Sequence, residues 1–284
     1  MSLGAILTAI VTPFDDAGRV DEATFVDLMA HLARNGTDGF VVCGTTGEAP
    51  TLSNEEHLRL IELAVGERPE GTTVVAGTGS NDTAHAAHMT ERATELGVDG
   101  VLSVTPYYNR PSRRGVLAHF AEVDRASGVP IVLYNIPQRT ATNMPPDLLA
   151  ELAQLERVRY VKQSNPDELQ PVEGLGVYAG NDDLLAATLD LGECGGICVA
   201  SHVVGPEMRR MVDEPAARAE IDASLQELFA ALFCTASPAP VKAALAMLGH
   251  PVGGTRLPIT DLDDDELGIV RGALERHGLL QVAR

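Results

Sequence analysis

The sequence predicts a (β/α)₈ TIM barrel of the α/β class with a C-terminal helical extension, and three observations predict it. Short apolar runs recur eight times, amphipathic stretches of helical period separate most of them, and no glycine-rich turn follows the first run. Runs that are continuous rather than alternating mark strands covered on both faces, as in parallel sheets. Strands alternating with helices through short loops give a parallel sheet, and eight such units close it into a barrel. The competing doubly wound sheet carries a glycine-rich fingerprint after its first strand, where this chain has Thr12-Pro13-Phe14-Asp15.

In chain order the strands are expected at residues 5–12, 39–44, 73–77, 100–105, 130–135, 158–162, 176–180 and 196–201. Helices are expected at 21–34, 54–65, 82–96, 114–126, 146–154 and 183–191. Two of them open on capping signals: Ser53 ahead of Glu55 and Glu56, and Asn81-Asp82 ahead of residues 84–96. Each offers a side-chain acceptor to the orphan amides of a first helical turn. From Pro206 onward the pattern is helical only, so the expected organisation is a barrel core over 1–205 and an extension packed on it over 206–284. A length of 284 residues suits one barrel of about 250 residues plus that extension. Hydrophobic residues make up 45% of the chain but aromatic ones only 4%, so burial rests on Val, Leu, Ile and Ala.

A formal charge of −19 argues against nucleic acid or an anionic membrane as a partner. The four cysteines (Cys43, Cys194, Cys198, Cys234) show neither a CxxC pair nor zinc-type spacing, and free thiols in a reducing compartment are expected. The first residues lead directly into an apolar strand without a basic leader, and no apolar run approaches about 20 residues. A soluble cytoplasmic protein without a metal or organic cofactor is therefore expected.

Barrel enzymes assemble their chemistry at the C-terminal ends of strands, and the unusual polar residues fall at those ends. Strand two ends in Gly44-Thr45-Thr46-Gly47-Glu48 and strand four in Thr105-Pro106-Tyr107-Tyr108-Asn109-Arg110-Pro111. Strand five ends in Tyr134-Asn135-Ile136-Pro137-Gln138-Arg139, strand six in Lys162-Gln163-Ser164, and strand seven in Gly180-Asn181-Asp182. Three of the five tyrosines thus belong to one face. Lys162 is central, because the chain has only two lysines and this one closes a buried strand. Burial favours the neutral amine, which attacks a ketone to give an imine, and the protonated imine is an electron sink for carbanion chemistry. Lys242, in Pro238-Ala239-Pro240-Val241-Lys242, opens a helix of the extension, where a salt-bridging role is expected. Tyr134 and Thr45 offer hydroxyls for proton transfer. The Gly-Thr-Thr-Gly amides suit a carboxylate, and the guanidinium fork of Arg139 suits the carboxylate of a second, acidic substrate.

These motifs together resemble the dihydrodipicolinate synthase / N-acetylneuraminate lyase family. The matching segments are the Gly44–Glu48 turn, the Tyr-Tyr-Asn-Arg-Pro run, Tyr134-Asn135-Ile136-Pro137, Lys162, Gly195-Gly196-Ile197-Cys198-Val199, Pro240-Val241-Lys242 and Arg256-Leu257-Pro258. The resemblance covers essentially the whole chain. It implies pyruvate carried covalently as an imine on Lys162, a proton relay of Thr45, Tyr134 and Tyr108, and a pyruvate carboxylate held by Thr46 with Gly180 and Ile197 lining that pocket. It implies Arg139 as receiver of the aldehyde's carboxylate. Tyr108 would reach into a neighbouring subunit, which implies a homodimer commonly paired into a homotetramer.

Arg139 and the Tyr-Tyr-Asn-Arg-Pro run resemble the synthase branch, which condenses pyruvate with L-aspartate-4-semialdehyde to 4-hydroxy-tetrahydrodipicolinate on the diaminopimelate route to lysine. Two departures leave room for a 2-keto-3-deoxy-sugar-acid aldolase: Gln163 stands where synthases usually have Glu, and Ala141 where they tend to have Gly. A keto-acid sensor without catalysis is the third alternative. In regulated members a glutamate pairs the amine of a lysine effector. His85 is at the matching position, with Asn81 and Tyr107 retained and Ala49, Pro50 and Asn54 replacing other residues, so weak or absent lysine inhibition is expected.

Overall fold

The computed structural model describes residues 2–280. Eight parallel strands form a closed barrel in chain order: β1 (Ile6–Ala9), β2 (Gly39–Val42), β3 (Thr73–Gly77), β4 (Gly100–Val104), β5 (Ile131–Asn135), β6 (Val158–Gln163), β7 (Gly176–Ala179) and β8 (Gly195–Cys198). Pairing of Leu7 with Ile197 across β1 and β8 completes the ring. Strand side chains alternate between two cores. Leu7, Val41, Val75, Leu102, Val132, Tyr178 and Ile197 fill the barrel interior, while Ile6, Phe40, Val74, Val101, Ile131 and Val177 meet the surrounding helices.

The helical layer comprises α1 (Glu22–Arg34), α2 (Asn54–Glu67), α3 (Thr83–Leu96), α4 (Arg113–Ala126), the single turn α5 (Pro137–Thr140), α6 (Pro146–Leu152), α7 (Leu185–Asp190) and α8 (Ser201–Asp213). The cap at α2 is a full capping box, in which Ser53 accepts from the Glu56 amide while the Glu56 carboxylate accepts from the Ser53 amide. Asp82 caps α3 in the same sense by accepting from the Ala84 amide. Helix α8 is kinked at Val204, two residues before Pro206, whose ring lacks the N–H a regular helix needs there. Helices α9 (Arg218–Ala231), α10 (Ala239–Met247) and α11 (Asp264–Arg276) form the extension, which packs against α8.

Several strands are shorter than their apolar runs. Ile10 and Val11 stay buried after the β1 ladder has ended, where the Val11 amide donates to His202 of α8 and the Phe14 amide to the Val252 carbonyl of the extension. At the eighth strand the ladder stops at Cys198 and Ser201 already starts α8. The stretch expected as a helix from 183 begins as a 3₁₀ turn at Asp182–Leu184 and becomes α7 only at Leu185. The turn α5 was not expected; Pro137 supplies its fixed φ at the first position.

Candidate active site

Strand parity joins the two central residues. Val132 and Tyr134 face the barrel interior from β5, and Tyr134 stands in register with Lys162 on β6. Lys162 is only 6% exposed, and its Nζ lies 4.3 Å from the centroid of the Tyr134 ring. A ring face attracts a cation but does not accept a proton as a carboxylate would. Among the described residues, Lys162 has neither a hydrogen-bond acceptor nor an ion-pair partner. Lys242 differs in each respect: its Nζ lies 2.7 Å from Glu48 Oε1 and donates to the Gly254 carbonyl at 2.7 Å. The expected salt-bridging role of Lys242 is thus what the geometry gives.

Lys162 lies in a narrow cleft of about 60 Å³, which Thr46, Gly180 and Asn181 also line. Gly180 is required for the space, since a Cβ there would overlap Ser164 Oγ. The cleft adjoins a wider cavity of about 500 Å³ that extends past Ala49, Asn54, His85 and Tyr107. Thr45, Tyr134 and Arg139 line both spaces. The amine therefore borders the narrow cleft alone, whereas two hydroxyls and a guanidinium border both spaces. Thr46 is buried whereas Thr45 and Arg139 are exposed.

In the turn after β2, the Glu48 amide donates to the Thr45 carbonyl at 3.1 Å and the Ala49 amide to the Gly44 carbonyl at 3.3 Å. The Thr45 and Thr46 amides have no acceptor among the described residues. Free amides beside a buried amine are what a carboxylate next to a ketone requires.

Two expected residues lie apart from this group. Ile197 is buried in the barrel interior but lines neither space. Tyr108 is 87% exposed with a left-handed φ of 71° and lines neither space either. Within one chain the tyrosine convergence therefore reduces to Tyr134 and Tyr107.

Sequence reasoning passed over two residues that line the Lys162 cleft and one buried carboxylate that interacts electrostatically with Lys162. Asp182 is 2% exposed, and its Oδ1 accepts from the Val199 and Ala200 amides at 2.9 and 3.1 Å. Burial pushes its carboxyl up, while those amides and the charge of Lys162 act the other way. Its strand end had been singled out, but not its burial. Phe233 and Ser237 line the Lys162 cleft from the extension, and no local pattern announces such a long-range contact.

The two departures also have a structural account. Gln163 turns from the cleft, its Oε1 accepting from Asn135 Nδ2 at 3.0 Å and from the Asn165 amide at 2.9 Å. Ala141 ends α5 in the left-handed region with φ 54°, where glycine avoids a strain of about 1 kcal/mol. All four cysteines are free thiols, and burial pushes those of Cys43 and Cys198 up, which makes them poor nucleophiles. Among the described residues no side-chain group has the make-up of a metal site, and no helix is long and apolar enough to cross a membrane.

The Dihydrodipicolinate synthetase family model matches residues 2–277. The chain belongs to this family. Among curated relatives, the 4-hydroxy-tetrahydrodipicolinate synthase of Heliobacterium modesticaldum is 41% identical, over 98% of this chain and 97% of the relative. Among solved structures, the family member from Cyanidioschyzon merolae with lysine bound is 39% identical with a TM-score of 0.93, covering 98% of this chain and 99% of that one. The chloride-inhibited dihydrodipicolinate synthase of Acinetobacter baumannii, complexed with pyruvate, is 32% identical with a TM-score of 0.94, covering 98% and 100%. Membership accounts for the barrel with its helical extension.

Proposed function

We propose that this chain is a 4-hydroxy-tetrahydrodipicolinate synthase, a lyase that condenses pyruvate with L-aspartate-4-semialdehyde through an imine on Lys162. The observation that carries this reading is a buried amine with no ion-pair partner among the described residues, in a cleft that Tyr134, Thr45 and Arg139 also line. The family membership and the names of the full-length relatives support the same activity over a sugar-acid aldolase or a keto-acid sensor.

The pyruvate carboxylate is received by the Thr46 amide and hydroxyl near Gly180, which presents C2 of the ketone to Lys162. Attack by the neutral amine gives a carbinolamine. A proton supplied to its hydroxyl lets water leave, and the C=N bond forms. Loss of a C3 proton gives the enamine, whose C3 then bonds to the aldehyde carbon while the aldehyde oxygen takes up a proton. The amino group of the condensed semialdehyde displaces Lys162, closing the ring and freeing the amine. Tyr134 and Thr45 carry these protons, a reading supported by their lining both the cleft and the wider cavity, and positioned proton transfer contributes about 10²–10⁴-fold. Arg139 receives the semialdehyde carboxylate with its guanidinium fork. Tyr108 completes the relay from a neighbouring subunit, a role that suits its exposure, so the working form is a homodimer or homotetramer. The setting is the cytoplasm, and the covalent imine takes the place of a cofactor.

A coupled assay tests the substrate. Turnover of pyruvate with L-aspartate-4-semialdehyde is expected to exceed cleavage of 2-keto-3-deoxygluconate, and the reverse order refutes the reading. Lysine inhibition is expected to be weak or absent, because the imidazole of His85 offers no carboxylate to an effector's amine. Strong inhibition in a submicromolar-to-millimolar lysine titration contradicts this.

A further inference from the structure

One buried ion pair takes no part in the steps above. Glu48 and Lys242 are each 2% exposed, with Lys242 Nζ 2.7 Å from Glu48 Oε1. The other carboxylate oxygen accepts from the Arg256 amide at 2.9 Å. Lys242 Nζ also lies 4.3 Å from the centroid of the Phe14 ring. Both oxygens of Glu48 are thus held by the C-terminal extension, although Glu48 itself belongs to the turn after β2.

That turn carries Thr45 and Thr46, and it is bracketed by two left-handed residues that are not glycine, Cys43 with φ 55° and Glu48 with φ 57°. Side chains with a Cβ disfavour this region, and such residues persist where their surroundings over-determine them. The barrel constrains the near side. Thr12 Oγ1 donates to the Gly47 carbonyl at 2.7 Å, and a Cβ on Gly77 would overlap the Cys43 carbonyl oxygen. On the far side the Glu48 carboxylate is the anchor, and its partners come from the extension. Buried ion pairs contribute little net stability because desolvation offsets their attraction, but they impose direction and register.

We propose that the Glu48–Lys242 ion pair is a clamp that positions the Thr45–Thr46 turn for pyruvate, making Glu48 and Lys242 positioning residues for the reaction. The inference rests on the pyruvate reading above. It gives both lysines of the chain a part in one reaction, one by bonding to substrate and the other by holding the turn that orients it.

Single substitutions strand a buried charge and threaten folding, so the test uses the full chain with Glu48→Gln and Lys242→Met combined. Wild-type protein is first titrated with pyruvate under borohydride; if it forms no adduct, the pyruvate reading fails and the clamp with it. If it does, the double variant, with wild-type circular dichroism, is expected to need about tenfold more pyruvate for half-maximal trapping. Its kcat at saturating pyruvate is expected to fall far less, a split that a merely structural pair would not produce. Unchanged half-saturation in the folded variant overturns the clamp. Should the double variant not fold, hydrogen exchange in the wild type decides. The amides of 43–50 and 252–258 are expected to open together, and exchange about a hundredfold faster in 43–50 overturns the proposal.

Discussion

The two lysines of this chain occupy environments alike in burial and opposite in satisfaction. Each lies within a few per cent of full burial, and each Nζ is 4.3 Å from an aromatic centroid, Tyr134 for Lys162 and Phe14 for Lys242. Lys242 adds a carboxylate and a carbonyl at 2.7 Å, whereas Lys162 has neither. Burial pushes the Lys242 amine down and Glu48 pulls it up, so its charge is spent on holding two parts of the chain together. What differs is unmet bonding capacity: an amine that lines a cleft and has, among the described residues, a ring face but no acceptor is left for a substrate.

The largest effect expected from breaking this contrast is at Lys162. Lys162→Ala should remove pyruvate trapping and lower kcat at least about 10³-fold, leaving the melting temperature close to wild type, because the side chain ties no elements together. Lys242→Met should do the opposite, costing about 3–5 kcal/mol of stability by orphaning the Glu48 carboxylate, with any folded protein still trapping pyruvate on Lys162. Denaturant titration alongside peptide mapping reads both. A Lys162 variant that unfolds, or a Lys242 variant that loses trapping while folded and saturated with pyruvate, breaks the comparison.

Around Lys162, the comparison is sharpened by two groups that line both the cleft and the wider cavity. Tyr134→Phe should slow both imine formation and condensation by about 10²–10⁴-fold, since each step moves protons. Arg139→Ala should slow condensation by about 10–100-fold, the worth of a lost charge-assisted contact. Rapid-mixing measurement of imine formation should then leave the Arg139 variant near wild type. Equal damage to both steps in that variant would assign Arg139 to pyruvate instead.

The smallest effect concerns pH and the strand-end loops. His202 is buried in its neutral form, donating from Nδ1 to the Val199 carbonyl and accepting at Nε2 from the Val11 amide. Burial brings its pKa down to about 4, and the same cause brings His57 to about 4. A folded-state pKa below the unfolded value of about 6.5 means that the unfolded chain binds the extra protons between those values. Stability is therefore complete above pH 6.5 and falls as the pH drops from 6.5 toward 4. Urea midpoints at pH 7.5 and 5 should show this decrease, and His202→Gln should reduce it. A midpoint that rises on acidification contradicts the neutral assignment.

The barrel was legible because strands buried on both faces write themselves as unbroken apolar runs, and helix starts were legible from Ser53 and Asp82. Strand ends were not, because Ile10 and Val11 remain buried after the ladder stops. Lys162 stood out by rarity and position, and register then supplied Tyr134. The burial of Asp182 against the Val199 and Ala200 amides and the approach of Phe233 and Ser237 from the extension depend on contacts between distant segments, to which local periodicity is blind. Tyr108 is legible as a strand-end residue, but its 87% exposure and its absence from the lining of both spaces follow from a backbone turn that the sequence does not announce.

Borohydride reduction in the presence of pyruvate, followed by peptide mass mapping, addresses the contrast between the two amines most directly. The expected result is one reduced pyruvate adduct, on the peptide containing Lys162, with the Lys242 peptide unmodified. An adduct on Lys242, or none on either peptide, contradicts the account.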